Sequence, residues 1–316
     1  MEQHHGGGTT PVPGEFVHRA DPADIIPTGW VPREENRYSV SARWSASHPF
    51  FSPVAGDRHD PVLVAETIRQ ATMLVLHAEL GVPVEDQFVM WELNYTADPE
   101  GLTVDGPSSD LVAEVSFPAL ERRAGKVRGL RTSVVLTRDG RLVATGDSTA
   151  RCTPGPAYRR MRGARMAALG RPVPLIPGVD PVLVGREALR DVVLGPGDRP
   201  GRWRLRINTD HPTLFRRPND HVPGMLLLEA ARQAAMLATG STAYLPVAME
   251  LSFSRYVELD DPCWIEAEVL TAPSAPTATV RVTGHQDGTP VFRCTLTSPS
   301  REPAVAGLAS AARSAY

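Results

Sequence analysis

HPTLFRRPNDHVPGMLLLEAARQ, residues 211–233, decides how the rest of this chain is read. Pro223 and Gly224 stand where a helix would begin, and the run after them, MLLLEAARQAAMLA, is apolar on almost every side. A helix without a polar face is usually buried all round. Glu229 and Arg232 nevertheless sit inside it, one turn apart on a shared face, with Gln233 one turn on from the acid. Burying a carboxylate and a guanidinium is expensive unless they are paired or put to use. The stripe is therefore either a structural ion pair or part of a site.

The pattern occurs twice. His48-Pro49 precedes Glu66 by the same distance as His211-Pro212 precedes Glu229. ETIRQATML (66–74) aligns with EAARQAAML (229–237), and MWELNY (90–95) with AMELSF (248–253). Asp139-Gly140 and Asp287-Gly288 sit in similar turns. A repeat of roughly 160 residues is too long for a solenoid unit and reads as duplication of a whole domain.

At 316 residues the chain has room for two domains, and 42% apolar content suits a globular protein. A net charge of −3 predicts no strong electrostatic pull on nucleic acid. Lys126 is the only lysine, a bias toward arginine that carries no functional message. Cys152, Cys263 and Cys294 are too few and too scattered for a disulfide framework or a zinc site, which fits a reducing cytosol. The opening MEQHHGGGTTPVPG lacks the apolar run of a signal peptide, and no stretch is long enough to cross a membrane.

In chain order, residues 1–14 read as a disordered leader. A first domain is expected over 15–152, a Pro- and Arg-rich linker over 153–178, a second domain over 179–299 and a disordered tail over 300–316. Residues 15–35 read as an extended lead-in, followed by a strand from Tyr38 to Trp44. A buried helix begins at Pro61 and ends near Gly81, and strands are expected at 87–96, 110–117, 127–137 and 141–151. The second half repeats this order: an apolar lead-in at Val182–Val193, a strand at Trp203–Asn208, a helix over 223–239, then strands at 245–257, 262–271, 277–285 and 290–298. A helix segregated from antiparallel strands is the α+β arrangement.

Pro223-Gly224-Met225-Leu226-Leu227-Leu228-Glu229-Ala230 with Gln233 resembles the hotdog motif of fatty-acid dehydratases, in which a curved antiparallel sheet wraps one long helix. More specifically, GDRHDPVLVAETIRQ (56–70), DQFVMWELNY (86–95), NDHVPGMLLLEAARQ (219–233) and the paired His-Pro loops resemble the A-factor synthase (AfsA-type) family. The resemblance covers roughly residues 15–300. It implies a tandem double hotdog, a monomeric pseudo-dimer or a homodimer. Its members move a β-ketoacyl group from an acyl carrier protein (or CoA) thioester to dihydroxyacetone phosphate, toward γ-butyrolactone, butenolide or furan signals. No cofactor, metal, nucleic acid or membrane is expected. The alternatives are a hotdog dehydratase or thioesterase, or a non-catalytic acyl-ligand sensor.

Alcoholysis of a thioester needs a base, donors for an oxyanion, a cation for the phosphate and room for the acyl chain. Glu66 and Glu229 are the candidate bases. Gly224 lets substrate approach the backbone N–H groups at a helix start, which polarise a carbonyl. The first half carries Asp60-Pro61 at that point, with no N–H on Pro61 and a negative charge beside it, so the second half is the better-equipped site. His48 and His211 hold, in order along the chain, the place of the dehydratase catalytic histidine, with His211 a catalytic candidate and His48 a substrate-binding one. Arg69 and Arg232 offer planar forks for phosphate, with Gln70, Gln233, Arg216 and Arg217 as further substrate contacts. His221 ranks lower because Arg58 holds the aligned first-half position. An acyl-cysteine ranks lowest of all.

Overall fold

A computed structural model describes residues 11–54, 56–215, 218–272 and 274–299. Each half builds its own curved antiparallel sheet around one helix, and the two sheets join edge to edge into one of 12 strands. The first half supplies β1 (Pro27–Pro32), β2 (Arg37–Ser45), β3 (Gln87–Ala97), β4 (Ser108–Arg123), β5 (Lys126–Arg138) and β6 (Arg141–Thr153). The second supplies β7 (Leu194–Arg199), β8 (Arg202–Leu205), β9 (Ala248–Phe253), β10 (Trp264–Val269), β11 (Thr277–Gln286) and β12 (Thr289–Pro299). Their order is β1-β2-β4-β5-β6-β3-β9-β12-β11-β10-β8-β7. The seam is β3 against β9, registered Leu93 to Leu251 and Tyr95 to Met249, so the duplicated segments MWELNY and AMELSF pair with each other. Tyr95 Oη crosses the seam to donate to the Pro246 carbonyl at 2.8 Å.

The helices α1 (Val62–Ala78) and α3 (Gly224–Thr239) lie in the concave face and touch each other. Their lack of a polar side is answered by burial on every side: Ile68, Leu74, Leu226 and Ala234 belong to one continuous core. α3 stops at Gly240, whose left-handed φ of 65° closes the helix with an N–H bond to Met236. Gly146 in β6 is required for a different reason. A Cβ there would stand 2.4 Å from Ile68 Cδ1 and 2.5 Å from the Asn94 carbonyl, so α1 reaches its sheet only over a bare backbone.

Several expectations need correction. β1 and β7 were not anticipated; Pro27 and Pro32 bound the one, while glycines and charges dominate LGPGDR in the other. β4 continues past Pro118 because the ladder shifts register between Ser116 and Ala119, which spares a bond that proline cannot donate. The expected strand 245–257 is only Ala248–Phe253. The linker is structured: α2 (Gly155–Arg162) buries Tyr158 and Arg162 and runs into a 3-10 turn at Gly163–Ala168. Of the expected leader, residues 11–14 are described, and Val12 is buried in the core. Residues 1–10 and 300–316 lie outside the described residues.

Candidate active site

The two stripes each become the centre of a buried cluster. In the first half Glu66 is fully buried, and its Oε1 accepts from Arg19 Nε (2.9 Å), Arg69 Nη2 (2.7 Å) and Gln70 Nε2 (2.6 Å). Arg69 Nε reaches the other oxygen at 2.9 Å. In the second half Glu229 accepts from Arg186 Nε (2.9 Å), Arg232 Nε (2.8 Å) and Nη2 (2.7 Å), and Gln233 Nε2 (2.6 Å). Burial alone would push either carboxyl up. The charges of Arg19 and Arg69 on Glu66, and of Arg186 and Arg232 on Glu229, outweigh it and hold both at about 2. A carboxylate so engaged is a poor proton acceptor at neutral pH. The geometry of Glu66 and Glu229 is that of anchors for guanidiniums rather than of general bases.

The glutamines complete the cage. Gln70 accepts from Ile26 N and donates to the Asp24 carbonyl; Gln233 does the same with Val193 and Asp191. Both are fully buried and have no face toward a substrate. His48 and His211 are equally committed. His48 Nδ1 accepts from Phe50 N and Phe51 N and its Nε2 lies 3.1 Å from Asp24; His211 does likewise with Thr213 N, Leu214 N and Asp191. An Nδ1 that accepts two amides places the proton on Nε2, facing the carboxylate. Both imidazoles pin a loop and offer neither nitrogen to a ligand. Arg216 and Arg217 lie outside the described residues.

Sequence reading passed over Arg19 and Arg186, and with them Asp24 and Asp191. The signal is present: Val17-His18-Arg19 is followed, after four intervening residues, by Asp24-Ile25-Ile26, and Val184-Gly185-Arg186 by Asp191-Val192-Val193 at the same spacing. Neither lead-in resembles a helix or strand, so the duplicated spacing has no secondary-structure pattern to draw attention to it.

Each cluster faces the helix start of the opposite half. Arg186 Nη2 stands 3.7 Å from Asp60 at the head of α1, and Arg186 Nη1 donates to the Phe50 carbonyl at 2.6 Å. Reciprocally, Arg19 Nη1 donates to the Thr213 carbonyl at 2.6 Å, and a cavity of about 210 Å³ joins Arg19 and Arg69 to Pro223 and Gly224 at the head of α3. The two helix heads differ. Asp60 Oδ1 accepts from Val62 N and caps α1. No side chain caps α3, where Leu226 N and Leu227 N turn back to the Pro223 carbonyl and the Gly224 and Met225 N–H groups find no acceptor among the described residues. Leu76, Phe88, Met90, Leu130 and Phe253 form the apolar wall of the same cavity. Arg232, which the sequence places as a phosphate ligand, is 2% exposed and enclosed with Glu229; Arg69, with its side chain 15% exposed, is the member of the pair that lines the cavity.

One further feature marks the open site. His18 lines it at φ 53°, in the left-handed region, where its counterpart Gly185 sits at 64°. At this pair of positions it is the first half that places a side chain in a conformation that favours glycine. The three cysteines are buried and free; burial pushes Cys152 and Cys263 up to about 12, which leaves no ready thiolate. No group of three or more metal-ligating side chains occurs among the described residues.

The sequence model of the A-factor biosynthesis hotdog domain matches residues 2–154 and again 170–299. A 2-oxo-3-(phosphooxy)propyl 3-oxoalkanoate synthase of Streptomyces coelicolor is 49% identical over 92% of this chain and 92% of its own. The protein of the same name from Streptomyces virginiae is 46% identical over 91% and 97%. Among solved structures, the 12:0-ACP thioesterase from Umbellularia californica superposes with a TM-score of 0.51 at 12% identity, over 83% of this chain and 98% of that one. That likeness concerns the fold alone.

Proposed function

The chain belongs to the A-factor biosynthesis hotdog family, and from that membership together with the cavity between its halves we propose an acyltransferase that joins a 3-oxoacyl thioester to dihydroxyacetone phosphate. The curated relatives are named for the ester this reaction yields. The observation that carries the reading is one apolar-walled space holding both an uncapped helix head and a surplus of guanidinium. Arg19 and Arg69 share the single carboxylate of Glu66, so one positive charge is left for a phosphate dianion. The Gly224 and Met225 N–H groups point where the thioester oxygen gains charge as the tetrahedral centre forms. The apolar wall takes the acyl chain.

A thioesterase would admit water and has no need of the cation. A dehydratase would need an imidazole and a carboxylate free to move a proton, and here Glu66, Glu229, His48 and His211 are all engaged. The donor is read as an acyl carrier protein thioester and the setting as cytosolic, where three free thiols persist. The 3-oxo ester carries an activated methylene beside the new glycerone ketone, so aldol closure to a butenolide is the natural next step. Incubation with a 3-oxoacyl thioester, with and without dihydroxyacetone phosphate, tests the reading by mass detection. A phosphorylated ester formed only with the acceptor is the expected result. Free acid or enoyl thioester formed regardless of the acceptor would replace it with hydrolysis or dehydration.

A further inference from the structure

With Glu66 and Glu229 engaged, the proposed transfer lacks a group to take the proton from the attacking hydroxyl. We propose that His221 is that base and that Asp220 positions it. The inference rests on the acyl-transfer reading above. Asp220-His221 immediately precedes Val222-Pro223-Gly224, so the imidazole stands beside the oxyanion donors and lines the same cavity. The backbone there is pinned: Val222 N donates to the Val257 carbonyl at 2.9 Å, and His221 bridges Glu258. The ring meets Tyr256 edge-on at 4.7 Å.

Nδ1 of His221 lies 3.0 Å from Asp220 Oδ1. Asp220 is itself buried and accepts from Arg162 Nε at 2.5 Å and from Tyr158 Oη at 2.8 Å. Burial would push its carboxyl up, but the bonds from His221, Arg162 and Tyr158 hold it below the ordinary carboxylate range. An ionised Asp220 keeps the proton on Nδ1 and leaves Nε2 as the acceptor, with no partner among the described residues. Arg162 is committed in turn to Glu258, at 2.8 and 2.6 Å, which fixes the second carboxylate near the ring.

Alternatives within the cavity are weaker. His18 contacts His77 Nε2 at 3.2 Å, and burial lowers the pKa of His77, so that ring offers no negative charge to an imidazolium. In the duplicated half the position of His221 is Arg58, which pairs with Asp57 and Glu100 and, as a guanidinium, cannot accept a proton. The chemistry balances without a further reactant. The acceptor O–H gives its proton to Nε2 as the oxygen bonds to the thioester carbon, and the carbonyl pair moves to the oxygen held by Gly224 and Met225. Collapse re-forms the carbonyl and breaks C–S, and the thiolate takes the proton back from Nε2, releasing ester and thiol.

The test uses the full chain with the 3-oxoacyl thioester and dihydroxyacetone phosphate. His221→Ala and His221→Gln are expected to lose about 10²-fold or more in kcat with KM for either substrate within a few-fold. Added imidazole is expected to restore part of the turnover of His221→Ala, an effect a structural side chain would not show. Asp220→Asn is expected to lower kcat. Retained turnover in His221→Ala, or its loss in a variant that melts normally and gains nothing from imidazole, overturns the assignment while the acyl-transfer reading stands. Absence of acyl transfer in the wild-type protein would sink both.

Discussion

The two half-sites are built from the same parts and end in opposite conditions. Arg19, Glu66, Arg69 and Gln70 superimpose in role on Arg186, Glu229, Arg232 and Gln233, down to arginine N–H contacts with Met73 and Met236. What differs is the residue each cluster meets across the seam. The second cluster meets Asp60, which brings two guanidiniums and two carboxylates together and seals the space. The first meets Pro223-Gly224, which brings no charge and no polar side chain, and a cavity remains with one cation in excess. On the proposed function, one copy of a two-fold site serves the fold and the other the substrate, and a dipeptide at each helix head separates them.

The comparison is broken most severely at the carboxylates. Glu229→Gln leaves Arg186 and Arg232 buried beside a neutral amide, a loss on the order of 3–5 kcal/mol, and the variant is expected to melt far below the wild type while folded molecules keep their turnover. Glu66→Gln is expected to cost less stability, because Arg69 rehydrates into the cavity, and to cost more turnover, because Arg19 and Arg69 lose their alignment. Melting temperature and turnover per folded molecule, measured on both variants, check the pair. Equal melting temperatures with Glu229→Gln inactive would reverse the assignment of the two sites.

A finer probe keeps charge and changes shape. Arg69→Lys is expected to raise KM for dihydroxyacetone phosphate by about 10-fold or more and leave the acyl donor unaffected, since lysine loses the planar fork. Arg232→Lys is expected to shift melting and leave both KM values alone. An acceptor KM that moves with Arg232 and not with Arg69 would place the phosphate in the other cluster.

The smallest effect concerns acid. Glu66 and Glu229 fall from an ordinary 4.5 to about 2 on folding, so the unfolded chain binds their protons first. Their contribution to stability is whole above about 4.5, wanes as pH falls toward 2 and is constant through neutrality. Urea midpoints across pH 2–6 should show this decline, and it should be shallower in a folded Glu66→Gln variant; an unchanged slope there would remove Glu66 from the cluster's linkage.

Periodicity and duplication determined much of this protein. Helices without a polar face have nowhere to go but inside a curved sheet, and two copies of one pattern in one chain make a tandem pair, so α1, α3 and the seam strands are legible in the residues alone. The special character of Gly224 beside an N–H-rich helix start was legible too, since it follows from local backbone chemistry. Tertiary structure alone decided which acid belongs with which helix head. Glu229 and Gly224 are neighbours along one helix, yet Gly224 opens into a cavity shared with Arg19 and Arg69, because antiparallel pairing of β3 with β9 turns each half's head toward the other half's cluster. It also decided that both acids are spent on arginines, one pair of which comes from lead-in segments with no periodic pattern to announce them. Spacing along a chain reports which side chains share a helix face; it carries no information on what a second segment, more than forty residues away, places against that face.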